Sequence, residues 1–158
     1  MPLAEELTNL FQRDLTRLVQ ELQAFSSEET LWAIVPGISN PAGNLFLHLD
    51  GNMREYIGRQ LGGVDYVRNR DLEFGSGPIP TAELAQRIEA LPPLITRIVS
   101  GLPDGVMDAN YPEVIGGLRL STRQFLIHLS GHLNYHLGQI DYLRRVLTGN
   151  GAVKFAQL

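Results

Sequence analysis

Three of the chain's 4 histidines, His128, His132 and His136, stand at successive steps of four, and the fourth, His48, stands far upstream. Residues four apart on a helix share a face, ~6 Å apart along the axis. Two imidazoles so placed can grip one metal ion at ~2.0–2.1 Å each. The apolar stripe around them is Leu126, Leu129, Leu133, Ile140, Leu143 and Leu147. At ~100° per residue, His136 falls well inside that stripe, His132 at its edge, and His128 further round towards the polar side. His132 and His136 therefore point inward together, with His128 behind them or at the surface. Imidazole nitrogens in an apolar interior are costly without partners. A bound cation is one answer, and His48 supplies a third ligand if its helix faces this one. Hydrogen bonds among the histidines in a metal-free site are another.

His48 stands one turn after Asn44 and one turn before Asn52, in a polar row continued by Glu55 and Arg59. That row is either the lining of a pocket or an ordinary wet helix face. Three neutral imidazoles leave an open position on an ion, the pattern of catalytic and not structural sites. Asn44, Asn52, Tyr135 and Gln139 are candidates for hydrogen bonds behind the ligands or in the pocket. Other chemistries lack their residues. There are 0 cysteines, so the protein supplies no thiol nucleophile, disulfide or zinc-thiolate site. Glycine-rich phosphate loops, a Gly-x-Ser-x-Gly elbow and His-Glu-x-x-His are all absent. The Glu-x-x-His motif of di-iron bundles fails too, because Phe125 and Leu129 stand three before His128 and His132.

Four helical stretches must carry these residues. The first runs through Leu3, Leu7, Leu10, Phe11, Leu18, Leu22 and Phe25. The second opens at Asn40-Pro41, an N-cap and a first-turn proline, and runs through Leu45, Leu49, Met53 and Ile57 to Gly62-Gly63. The third follows Thr81, its expected N-cap, from Leu84 to Leu102. Its stripe stays in phase across Pro92-Pro93, which predicts a kink more than a break. The fourth opens on the capping box Ser121-Thr122-Arg123-Gln124 and ends at Gly149-Asn150-Gly151. Between them, Met107 to Leu120 forms a short hairpin or a long, irregular crossover. The expectation is an all-α fold, a four-helix bundle in a single domain over residues 1–158. Trp32 is expected as a core plug, the Arg144-Arg145 pair as solvated helix-end charge, and Arg123, Asn134, Asp141 and Arg145 as the solvent face.

With 44% hydrophobic and 19% charged residues, the 158-residue chain has the mix of a globular protein. Lys+Arg 13 against Asp+Glu 17 gives a net charge of -4, and Lys154 is the lone lysine, so general affinity for nucleic acid or an anionic membrane is not expected. The acidic start, Met1-Pro2-Leu3-Ala4-Glu5-Glu6, lacks a basic signal region, and no apolar run nears the ~20 residues of a membrane helix. A cytoplasmic protein is the expectation.

The segment His132-Leu133-Asn134-Tyr135-His136-Leu137-Gly138-Gln139-Ile140 resembles the DinB-like superfamily, which includes the YfiT-like metal proteins. Its pattern is His, three residues, His, one residue, Gly-Gln-Ile. His48 in Asn44-Leu45-Phe46-Leu47-His48-Leu49 is the second match, supported by Leu31-Trp32, Ser39-Asn40 and the run Arg68-Asn69-Arg70-Asp71-Leu72-Glu73-Phe74. The resemblance implies a four-helix bundle holding one divalent ion, zinc or nickel, on His48, His132 and His136, and a homodimer. It also implies transfer of a low-molecular-weight thiol to a small electrophile, thiol-dependent isomerisation, or hydrolysis. A segment matching a thiol-binding signature is not present. The alternative is a non-catalytic, metal-stabilised bundle that acts through dimerisation or partner binding.

Overall fold

The computed structural model describes residues 2–75, 77–103 and 105–154, and every regular element among them is helical. Helix α1 spans Leu3–Gln23 and buries Leu7, Phe11, Leu15, Leu18 and Leu22 on one stripe, with Glu5 and Glu6 favourably placed in its first turn. A short α2, Glu28–Leu31, is closed by a reciprocal Ser27–Thr30 capping box. Helix α3, Ala42–Met53, is buried along all 12 residues. It continues into a π-helical segment, Arg54–Arg59, where Gln60 N–H reaches back to the Glu55 carbonyl at 3.2 Å. Helices α4 (Arg70–Gly75), α5 (Thr81–Glu89) and α6 (Leu91–Ser100) follow, and α7, Thr122–Thr148, closes the chain.

Helix α1 packs on α6 and α7, while α3 packs on α4 and α7. One continuous apolar core joins them, with Phe11, Phe46, Met53, Ile57, Phe125 and Leu133 at its centre. Close approach is bought by small residues at two points: a Cβ on Gly43 would lie 2.6 Å from the Trp32 ring, and one on Gly62 would lie 2.4 Å from Ile98. Trp32 thus lies over α3, half-buried against the core. None of the helices among the described residues is long and apolar enough to cross a membrane.

Several local expectations are corrected. Pro41, not Asn40, is the N-cap residue of α3, and it makes no side-chain cap. Thr81 lies inside α5 after Pro80, its hydroxyl turned to Glu28 Oε2 at 3.2 Å. Pro92-Pro93 sits in the first turn of a separate α6, because two missing N–H groups cannot bond back into α5. Ala90 keeps right-handed helical angles (φ -76, ψ -16), so the chain jogs there without reversing, and the stripe stays in phase. Residues 107–120 form a small hairpin-like excursion. Ile115 and Leu118 exchange backbone hydrogen bonds at 3.0 and 2.9 Å across Gly116 and Gly117, whose φ values of 56 and 82 fit a primed turn. The Ser121–Gln124 capping box forms in both directions, at 3.2 and 3.1 Å, and Gly149 (φ 72) ends α7.

Arg144 is not solvated: it is fully buried and ion-paired to buried Glu21 of α1, with Asp141 Oδ1 at 3.3 Å and the Gly151 carbonyl at 3.0 Å. Asn134 is exposed, as expected, and its side-chain amide also donates to the buried Asp14 carboxylate. Arg145 is exposed as expected. Leu137 joins the core stripe in place of Leu147, which is half-buried.

Candidate metal centre

The middle of α3 faces the middle of α7, and there the four-step spacing takes effect. His48 enters from α3; His132 and His136 enter from successive turns of α7. Their ligand nitrogens all lie within 4.8 Å of one another. His48 Nε2 is 3.1 Å from His132 Nε2, and the His136 ring centroid lies 5.0 Å from that of His48 and 4.6 Å from that of His132. Nitrogens ~2.0–2.1 Å from one tetrahedral ion stand about 3.3 Å apart, so small rotations bring three lone pairs onto a common centre. His128 lies outside the cluster, exposed, stacked on Phe125 at 5.9 Å.

The far nitrogens decide what the near ones can do. His48 Nδ1–H donates to Glu73 Oε2 at 2.8 Å, which leaves its Nε2 as a lone pair facing the cluster. His136 Nδ1–H donates to Gln139 Oε1 at 2.7 Å, with the same result. Carboxylate and amide partners of this kind fix tautomer and ring orientation behind metal-binding histidines. Glu73 is itself held by Arg68, at 2.6 and 2.9 Å, and its backbone carbonyl accepts from Asn44 Nδ2 at 2.8 Å. Burial pushes the Glu73 carboxyl up, but the hydrogen bonds from His48 and Arg68 outweigh it and hold the group below the usual carboxylate range. His132 Nδ1, by contrast, is buried without a partner among the described residues.

Burial lowers the His132 ring to about 4, helped by repulsion from His136, His48 and His128. Burial lowers His136 as well, against the opposing hydrogen bond to Gln139. Both rings are therefore neutral at pH 7, the state that binds a cation. The unfolded chain, with histidines near 6.5, takes up protons first as pH falls, so the folded state loses stability between pH 6.5 and about 4. In chelator, the melting temperature should fall steadily from pH 7 to pH 5. A flat profile would show that the rings are not held neutral by burial.

The other residues proposed from sequence divide. Of the row, Asn44, His48, Asn52 and Glu55 are buried, while Arg59 at its end is exposed. Asn44 reaches Glu73 and Gln139 reaches His136, as given above. Asn52 is 6% exposed and lines the smaller chamber with His48 and His132; its Oδ1 has no hydrogen-bond partner among the described residues. Tyr135 is 65% exposed, with its ring edge-on to His136 at 5.1 Å. Glu73 and Arg68 had no functional assignment from sequence. Their signals were a charged run bounded by glycines and prolines and its place in the family resemblance, and nothing in helical periodicity points a six-residue helix at His48.

The histidines stand between two chambers. The larger, about 760 Å³, is lined by His48, His132 and His136 and walled mainly by apolar side chains including Leu45, Phe74 and Leu143. The smaller, about 220 Å³, shares His48 and His132 and is lined also by Asn52, Arg68 and His128. The cluster can therefore hold a metal ion beside a cavity of small-molecule size. No family model matches this chain, and no curated protein matches it significantly.

Proposed function

We propose that the protein is a divalent-metal-dependent enzyme that acts on a small electrophile, with His48, His132 and His136 as ligands and either water or a small thiol as the activated nucleophile. The observation that carries this reading is the Glu73–His48 hydrogen bond beside the converging rings: a buried carboxylate committed to the far side of an imidazole is the support that a metal ligand requires. A zinc or nickel ion so held supplies Lewis acidity at its open position, which brings the ionisation of water or a thiol placed there towards neutral pH.

The chain's own residues have distinct tasks. Glu73 and Gln139 hold two rings in the tautomer that presents Nε2. Arg68 neutralises Glu73, so that its charge does not attract the proton from His48 outright. Asn44 pins α4 to α3 and keeps the carboxylate in place. The apolar wall of the larger chamber excludes water around the bound electrophile. Membership of the DinB-like superfamily, a four-helix-bundle arrangement and a homodimer belong to the same proposal, supported by the His-x-x-x-His-x-Gly-Gln-Ile segment and by the packing of α1, α3, α6 and α7.

Metal analysis of tag-free protein purified without a chelating column should give one divalent ion per chain. The visible spectrum of cobalt-loaded protein should change when a small thiol is added. A metal-loaded sample whose spectrum responds to no small ligand would identify a structural ion and a non-catalytic bundle. Glu73→Gln should weaken metal affinity by about 10–100-fold while the fold persists, measured by competition with a chromophoric chelator.

A further inference from the structure

The two chambers beside the histidines share an unusual feature. The chain carries 17 acidic residues and a net charge of -4, yet none of those among the described residues lines either chamber. Arg70 lines both. Its side chain makes no hydrogen bond or ion pair among the described residues, whereas neighbouring Arg68 is committed to Glu73. The smaller chamber adds the neutral hydrogen-bonding groups of Asn52 and His128. The larger chamber is apolar in its depth and at its rim. Ile38, Phe74, Tyr135, Tyr142 and Val146 are among the chain's exposed large hydrophobics, and all five lie along it.

We propose, building on the metal-centre reading, that the substrate is an anionic amphiphile: an apolar body seated in the larger chamber and a carboxylate-like head held by Arg70 beside the histidines. Charge selects the sign of the head. Low-dielectric walls that carry no carboxylate among the described residues, and whose one arginine without an acidic partner is Arg70 (Arg68 being paired to Glu73), focus a positive potential at the site, against the sign of the protein as a whole. A guanidinium without a partner is suited to a planar oxyanion, which it can hold through two parallel hydrogen bonds. Size and apolarity select the body, since the larger chamber is within the ~300–1,000 Å³ range of small-molecule sites. The rim hydrophobics then serve as the walls of an entry route.

Calorimetric titration of the full chain at pH 7 with n-octanoate, octan-1-amine and acetate tests this, on zinc-loaded and on chelator-treated protein. Octanoate should bind at least about tenfold more tightly than either of the others. Arg70→Gln should weaken octanoate by about tenfold and leave octan-1-amine unchanged. Val146→Glu, which places a carboxylate in the lining from an exposed helix position, should close or reverse the gap between octanoate and the amine. The proposal is overturned if the amine binds as well as octanoate, if acetate does, or if Arg70→Gln leaves octanoate binding unaltered. Zinc content is measured on the same samples. Failure to load zinc counts against the metal centre, while the octanoate–amine gap in the chelator-treated chain still decides the charge and shape of the ligand.

Discussion

His132→Ala should abolish stoichiometric metal binding while His128→Ala, one turn away on the same helix, leaves it intact. His132 neighbours both other rings, with a nitrogen 3.1 Å from His48 and its ring centroid 4.6 Å from that of His136. Structural zinc sites contribute ~10–16 kcal/mol through four ligands, so one ligand is worth roughly 3–4 kcal/mol, or about two to three orders of magnitude in affinity. The same substitution removes a half-buried ring whose buried Nδ1 has no partner among the described residues, so the metal-free chain should not be destabilised in proportion. Loss of metal with retained folding, read by metal analysis beside thermal melts in chelator, is the expected pattern. Equal metal retention in His132→Ala and His128→Ala would remove the centre from consideration.

The largest effect on folding should come from Arg144→Ala. Arg144 and Glu21 are both buried, and the guanidinium also reaches Asp141 and the Gly151 carbonyl, so it joins α1, α7 and the following segment. Burial raises the Glu21 carboxyl, and only the hydrogen bond and charge of Arg144 oppose that rise. Breaking a buried pair by removing one partner costs about 3–5 kcal/mol, because the other charge is left without compensation. For a chain of this size that corresponds to a fall of roughly 6–20 °C in melting temperature. Arg144→Met combined with Glu21→Leu should recover most of the loss, since a packed apolar pair replaces an ion pair at little cost. If the single and double variants melt together, the pair is not what joins these helices.

These two sites show where the sequence was legible. Helices α1 and α7, and the existence of α3 but not its ends, followed from apolar spacing, and the capping box at Ser121 marked the start of α7. The inward direction of His132 and His136 followed from helical phase, and His48 came from the facing helix. Arg144 was misplaced because its neighbour Arg145 is exposed and both stand near a helix end. Its phase next to Leu143 and Ile140 carried the better information, as did Asp14 and Glu21, which stand in the stripe of α1 with Leu7, Phe11 and Leu18. Charges of opposite sign at core positions on two helices are the signature of a buried pair. The break at Ala90 went unseen because a jog that keeps the stripe in phase leaves no trace in the pattern. Glu73 was beyond reach because its pairing with His48 depends on how the loop before α4 travels, and no local periodicity encodes that path.

Helix α4, only six residues long, carries the carboxylate that orients His48 together with Phe74 and Arg70 of the chamber lining. Ligand geometry and the doorway to the cavity are thus mechanically one part. Any displacement of this short helix would alter the brace on His48 and the wall of the cavity together.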